Sequence, residues 1–496
     1  MSRVTKSARG QQEQPHGAAA RTAHIAMLAA FFLVAGVLGE LHLQSLTQTD
    51  VWWHLRTGLW VLQNHSVPHA GVFSQYPSLP WVDSNWGFDL MLADGFRWLG
   101  LAFFPLLAIA IRVLLAGAVF VLASGMRRFW TALLLAICAQ LTFAFQQPQP
   151  AGCAACLFAI LLAVLFQYRR SGNARLLLAV PLLFVLWASL DVTFVYGICV
   201  LLLFAAVGLV QERFRGGEQD GASRRGASTS WLAACCGSIV ACMASPYHYH
   251  AWGAALHSMA SGAYGYVGEL HAIRFRQVQD YLLLLLVMCA FYLLGRRRSF
   301  ISVALLAAAL PVSLAIQRDR WVVVIVSVAV IADALANGRA KGNLNAPPGR
   351  MREALWAAAG VLAVLVGSGA YLLRDQDALL SRVAGQFPVR AADCLRSNHL
   401  PAPLFNEYQW GSFLTWYLPE FPVSIDSRVD LYGDETNLTY LAVMNGYISP
   451  DSDPSFARAR TFLVRHGSSL EQAVLNQPWL RVVYRDEIAT VAVRTE

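Results

Sequence analysis

The chain has 496 residues, of which 56% are hydrophobic and 14% charged, with a formal charge of +8. This is too apolar for a soluble domain of such length, so the soluble enzyme classes are excluded and a membrane protein is expected. The positive excess is spread over short loops between apolar runs, and acidic side chains outnumber basic ones from Arg374 onward. That distribution argues against nucleic acid as a partner.

Residues 1–22, rich in Gln, Ala, Ser and basic side chains, have little to bury and read as a disordered cytoplasmic tail. Arg3, Lys6, Arg9 and Arg21 precede the first apolar run with no compelling small-residue cleavage site, which points to an uncleaved anchor. From 23 to 373, apolar runs long enough to cross roughly 30 Å of hydrocarbon recur, and backbone placed there satisfies itself only as helix. About eleven spans are predicted, near 24–43, 102–124, 129–146, 151–168, 176–190, 192–210, 231–246, 279–295, 300–316, 321–336 and 354–373. Residues 176–210 are too many for one crossing and Asp191 interrupts them, so this stretch reads as a helical hairpin whose turn carries Asp191, a candidate to bind substrate, with solvation of the turn as the alternative.

Basic residues set the expected orientation. With the N-terminus cytoplasmic, alternate loops carry Arg127 and Arg128, then Arg169, Arg170 and Arg175, then Arg213, Arg215, Arg224 and Arg225, then Arg296 to Arg298, and finally Arg339, Lys341, Arg350 and Arg352. The opposite loops hold few such residues. The C-terminal domain (374–496) is therefore expected on the exported side, which for a bacterial inner-membrane protein is the periplasm.

The first exported loop, 45–100, is far longer than a simple connection, and loops of that length are commonly functional. In "TDVWWHLRTGLW" (49–60), Asp50 can cap a helix on which Trp52, Leu55, Leu59 and Leu62 share one face. A helix lying on the membrane surface, with its tryptophans at headgroup level, fits this pattern. A second short helix is expected from about Asp83 or Ser84 into the next span. Asp50 has two readings: an N-cap beside an aromatic belt, or a general base with a raised pKa that takes a proton from an acceptor hydroxyl. Asp83 and Asp89 are further acids in the loop that serve either substrate or a helix end.

No cofactor is required by the sequence. A divalent cation on Asp50, Asp83 and His54 is a candidate, at a spacing that carries little information. In the loop after 246, Glu269 and His271 are candidates to orient a sugar hydroxyl or a pyrophosphate, with surface solvation as the alternative. Arg318 and Arg320, in "QRDRW" between two spans, are costly there unless they meet an anion or water. A lipid phosphate bound bidentately is one explanation and snorkelling to the interface the other.

The segment from 374 has short apolar runs at 422–426, 461–464, 480–484 and 488–493, alternating with helical patterns such as 409–418. It reads as a small α/β domain. In "SIDSRVDLYG", Asp426 and Arg428 fall at a probable strand end, where they either bind a ligand or fix a turn. Eight of the nine cysteines lie in predicted spans, so no disulfide framework is implied, and "CAAC" at 153–156 reads as helix packing.

Together these stretches resemble the GT-C glycosyltransferase superfamily, through a group of bacterial membrane proteins with an Asp-x-Trp-Trp-His-Leu start. The matching segments are "TDVWWHLRTGLWVLQNHSVPHAGVFSQYPSLPWVDSNW", "QPQ" (147–149), "LWASLDVTFVYG", "SPYHYH", "GELH", "NEYQWGSFLTWYLPE", "IDSRVDLYG" and "YRDE". This chain departs from the pattern at Gln48, Gln147, Asp191 and Val192. The resemblance implies a GT-C-like α-helical polytopic membrane protein with an exported α/β domain. It also implies a polyprenyl-phosphate sugar donor in the lipid bilayer, with Asp50 at the position of the catalytic acid. The expected activity is transfer of sugar, with inversion, to an envelope glycan, lipid or protein acceptor. Arg318 and Arg320 would hold the donor phosphate, and His54 or Arg56 would orient it on departure. A non-catalytic scaffold of an envelope glycan or glycosylation assembly is the alternative. A transporter fits less well, because the polar groups gather at one face.

Overall fold

The computed structural model describes residues 15–38, 40, 43–125, 128–143, 148–214, 221–296, 299–336 and 349–495. Most of the expected tail, and Arg127, Gln147, Arg215, Arg297, Arg298, Arg339 and Lys341, lie outside the described residues. Helix α1 (Pro15–Val37) begins inside the stretch read as tail. Next come α2 (Asp50–Asn64), α3 (Trp86–Leu99), α4 (Phe103–Ser124), α5 (Phe129–Thr142), α6 (Pro150–Ser171), α7 (Val180–Leu190), α8 (Phe194–Phe214) and α9 (Gly221–Ala241). The membrane body closes with α10 (His250–Ala260), α11 (Val278–Arg296), α12 (Phe300–Ala315), α13 (Trp321–Ala336) and α14 (Gly349–Leu372).

A helix occupies each of the predicted spans, and among the described residues four helical stretches are long and apolar enough to cross a membrane by length and composition. Large apolar side chains such as Leu182, Leu232, Met288, Phe300 and Trp356 face outward, as expected where the solvent is lipid. This is a multi-pass membrane protein. Helix α13 is apolar on every side, its residues 321–333 are all buried, and it packs against α4, α5, α6, α11 and α12. A helix without a polar face belongs at the centre of a bundle. At one end of it Arg170 of α6 pairs with Asp333 at 3.2 Å.

The C-terminal segment adds α15 (Gln376–Val383), α16 (Val389–Ser397), α17 (Tyr408–Tyr417), α18 (Val429–Met444), α19 (Pro454–Arg458) and α20 (Ser469–Leu475). Its four strands are β1 (Leu404–Asn406), β2 (Thr461–Arg465), β3 (Leu480–Arg485) and β4 (Ala489–Arg494). The sheet order is β1-β2-β4-β3, parallel at β1/β2 and antiparallel elsewhere. The runs at 461, 480 and 488 form strands as expected, whereas 422–426 does not. That segment is held beside β1 by the Asn406 side chain, which accepts from Ser424 N at 2.8 Å and donates to Ile425 O at 2.8 Å. Its one bridge is to the first loop, Ser74 to Val423.

Helix α2 corrects a second expectation. Its apolar face is real, but it meets protein instead of lipid. Trp52 is fully enclosed, stacked on Trp416 at 4.8 Å and edge-on to Phe104, Phe387 and Phe413. Trp53 stacks on His54 and meets Trp81 edge-on. Aromatic area of this size, about 150–250 Å² per ring system, fastens the first loop to the C-terminal segment through α17. Gln75 N to Val423 O and Val423 N to Phe73 O, each 3.0 Å, complete the join.

Candidate active site

The site is assembled from four separated stretches and the loop that carries Glu269. Asp50 and His54 lie one turn apart on α2 and so share a face. Asp50 is the first residue of the helix and does not cap it: the N-cap is Thr49, with no side-chain hydrogen bond. The N-cap reading is thereby corrected, and the carboxyl is free to face a cleft. Across that cleft, Asp83 accepts from Asn85 N at 2.9 Å, and the Asn85 amide donates to Leu190 O at 3.0 Å. This tie brings the α7–α8 junction, and with it Asp191, beside Asp83. Asp191 accepts from Thr193 N at 2.7 Å, forming the polar turn of the expected hairpin. The approach is close because Gly87 lies where a Cβ would come within 2.7 Å of Ser189 O.

The third stretch is the short 3-10 turn Gln317–Arg320. His271 O accepts from Gln317 N at 2.8 Å and Leu314 O from Ile273 N at 3.1 Å, so the loop carrying Glu269 runs alongside this turn. Arg318 holds Asp319 through Nε at 3.3 Å, and 35% of its side chain stays open on the cleft it lines. Asp319 itself is buried and accepts from the Tyr196 hydroxyl at 2.7 Å.

The fourth stretch is residues 427–433 of the C-terminal segment. Arg428 is locked to Asp426 at 2.6 Å, donates to Val72 O at 3.1 Å and lies over the rings of Phe73 and Trp81. Tyr432 donates to the same carboxylate at 2.9 Å. This network fixes the turn whose Ser427, paired with the Ser412 hydroxyl at 2.7 Å, and Asp430 line the cleft.

The resulting cleft, of about 730 Å³, is lined by Asp50, His54, Asp83, Asp191, Glu269 and Arg318, together with Gln48, Trp81, Ser427 and Asp430. Six of the ten residues that the sequence marked for catalysis or substrate therefore meet in one place, and Arg428, read as a ligand group or a turn brace, lines it too. The other four do not line it. Arg56 projects from another side of α2 and sits over Phe73 at 4.7 Å. Asp89 is fully buried behind His54. The His271 ring turns to Arg274 at 3.1 Å. Arg320, expected to share a phosphate with Arg318, is buried against Asp280 at 3.0 Å and Gln317 O at 3.1 Å. The reason is geometric: side chains two apart in a 3-10 turn diverge, so one guanidinium opens on the cleft while the other needs an internal partner. Among the described residues no group of three or more His, Cys, Asp or Glu side chains is arranged to hold a metal ion, so the Asp50, Asp83 and His54 set does not assemble as one.

Sequence reading passed over Asp430 and Ser427. The signal was present in "IDSRVDLYG", where attention went to Asp426 and Arg428, the pair that fixes the turn.

Burial, helped by the charge of Glu269, holds the Asp50 carboxyl above the usual range, while Ser427, His54 and Arg318 work against this. Burial pushes His54 down to about 4 against the pull of Asp50, Asp83, Asp191 and Asp430, so its imidazole is uncharged at neutral pH. Asp83 is raised strongly, by burial first and by Asp89 second. The cleft thus presents a carboxyl with a raised pKa, an uncharged imidazole and a guanidinium, a set capable of proton transfer beside an anion.

No protein-family model matches the chain and no characterised protein aligns with it. Among solved structures, it superposes on the apo oligosaccharyltransferase of Archaeoglobus fulgidus with a TM-score of 0.54 at 11% identity, covering 90% of this chain and 69% of that one. The chain shares the fold of that oligosaccharyltransferase. ArnT from Cupriavidus metallidurans bound to undecaprenyl phosphate gives a TM-score of 0.47 at 14% identity, over 95% of this chain and 98% of that one. At that level the likeness to ArnT adds no weight to the assignment.

Proposed function

We propose that this protein is an inverting membrane glycosyltransferase that moves a sugar from a polyprenyl-phosphate-linked donor to an acceptor at the face where the cleft opens, the exported side of a bacterial inner membrane. One observation carries this reading: the carboxyl of Asp50 and the open guanidinium of Arg318 line the same cleft. Arg318 binds the donor phosphate as a charge-assisted pair. Asp50, in its deprotonated form, takes the proton of the acceptor hydroxyl as that oxygen attacks the anomeric carbon. Glu269, Asp191 and Asp430 offer acceptors to sugar hydroxyls. A single base without a covalent intermediate gives inversion.

Purified protein supplied with radiolabelled polyprenyl-phosphate sugar should release label to an acceptor, and Asp50→Ala should abolish transfer while leaving yield and monodispersity intact. Retained transfer in that variant removes Asp50 from the role. Gln48, which stands in the cleft with an unpartnered Oε1 where the family pattern has an acid, favours the second reading, a non-catalytic binding subunit of an envelope glycan or glycosylation assembly. Saturable binding of the labelled donor without turnover would select it.

A further inference from the structure

Asp89 on α3 lines no part of the cleft, yet its Oδ1 lies 2.5 Å from Nδ1 of His54. Both side chains are enclosed, 0% exposed for Asp89 and 6% for His54. The imidazole is clamped, with Trp53 stacked at 3.7 Å and Phe88 edge-on at 5.2 Å. Helices α2 and α3 meet here across Gly58, where a Cβ would come within 2.0 Å of the Asp89 carbonyl oxygen; that close approach sets the carboxyl against the ring. With Nδ1 taken, Nε2 is the ring nitrogen left for the cleft that His54 lines.

We propose that Asp89 is a positioning residue that makes His54 the proton donor to the departing phosphate. The proposal rests on the transferase reading above. Enclosure disfavours net charge on the pair. Asp83, equally buried, opposes a second negative charge beside Asp89. Asp50, Asp191 and Asp430 also act on the imidazole across the cleft and favour keeping protons on the pair. Two protons, one between Oδ1 and Nδ1 and one on Nε2, make the pair neutral and present Nε2–H to the cleft as a donor. Arg318, across the cleft, supplies the positive charge that holds the phosphate.

The step balances. The bond from the sugar's anomeric carbon to the phosphate oxygen breaks, its electron pair goes to that oxygen, and the oxygen takes the Nε2 proton. The shared proton moves fully to Nδ1 and leaves Asp89 as carboxylate. The acceptor oxygen forms the new bond to the anomeric carbon and its proton passes to Asp50. Exchange with solvent returns one proton from Asp50 to the pair.

The test uses the full-length protein in lipid nanodiscs, with Asp89→Asn assayed on two synthetic donors, a polyprenyl-phosphate sugar and a polyprenyl-diphosphate sugar whose departing group needs less protonation. Asparagine keeps the shape and cannot pass a proton. With the monophosphate donor kcat should fall by about 10²–10⁴-fold, the range typical of general acid catalysis, with KM unchanged. The loss should be smaller by about tenfold or more with the diphosphate. Equal losses on both donors, or a change in KM alone, would overturn the proposal while leaving the transferase reading in place. Absence of turnover by the unaltered protein on either donor defeats both. A second readout does not depend on turnover: ¹⁵N-histidine NMR, with His54→Gln to assign the signal, should show a strongly hydrogen-bonded Nδ1 proton at His54 that Asp89→Asn removes. A His54 signal indifferent to Asp89 also overturns the proposal.

Discussion

Two cavities of nearly equal volume open in this molecule, and their chemistry is opposite. The cleft of about 730 Å³ gathers carboxyl groups, an imidazole and a guanidinium from the two long loops, the α7–α8 junction, a helical turn and the C-terminal segment. The groove of about 680 Å³ lies among α4, α6 and α14, and its walls are residues such as Leu114, Ala118, Leu157, Ile160 and Leu355, with Arg170 and Gln167 at one end. Volume does not separate them. What does is the source of the walls: the groove is lined mainly by helices whose surfaces a bilayer satisfies, whereas the cleft is built from segments that leave the helices and must satisfy polar groups among themselves. Charge is retained where a buried partner or a substrate compensates it.

Perturbing the two cavities should separate them further, and the largest effect is expected at the carboxylate. Asp50→Asn removes the base without changing shape, and kcat for sugar transfer should fall by about 10²–10⁴-fold; a rate within about twofold of the parent would dissolve the distinction between the cavities. Next comes Arg428→Ala. This guanidinium lines the cleft but is locked to Asp426, so its loss strands a buried charge and should destabilise the protein by about 3–5 kcal/mol, measured by unfolding in detergent.

Arg318→Ala takes a charge partner from buried Asp319, so it should cost some stability, less than Arg428→Ala because the Tyr196 hydroxyl still donates to that carboxylate, and it should raise the KM for the lipid-linked donor by about 10–100-fold, as expected for a charge-assisted pair. It should also move the acid limb of the pH profile. Asp50 acts when deprotonated, so activity rises with pH through its raised pKa. Arg318 holds that pKa down against burial, and its removal shifts the limb to higher pH. The smallest effect is expected in the groove, where Ile160→Ala, on a part-exposed apolar surface, should change stability by no more than about 0.5 kcal/mol and leave transfer rates intact.

The pair Arg318 and Arg320 shows where sequence reasoning reaches its limit. Both stand in the same apolar context and carry the same cost, so the sequence marks them equally. Their separation depends on Asp280, forty residues earlier, meeting one of them. Trp52 teaches the same point. Its place on an apolar helix face was legible, but whether that face meets lipid or protein depends on α17, more than three hundred residues away. Asp89 was legible only as an acid near a helix start, because its distance to His54 is fixed by how closely two helices pack across one glycine.

By itself the sequence determined the apolar runs and therefore the helices, since hydrocarbon leaves the backbone no other way to satisfy its hydrogen bonds. It also determined the hairpin at Asp191, three of the four strands, and a set of ionisable residues too costly to be idle at a membrane boundary. The tertiary structure alone decided which of those residues meet. Side-chain convergence depends on contacts between segments hundreds of residues apart, and local pattern carries no information about distances of that kind.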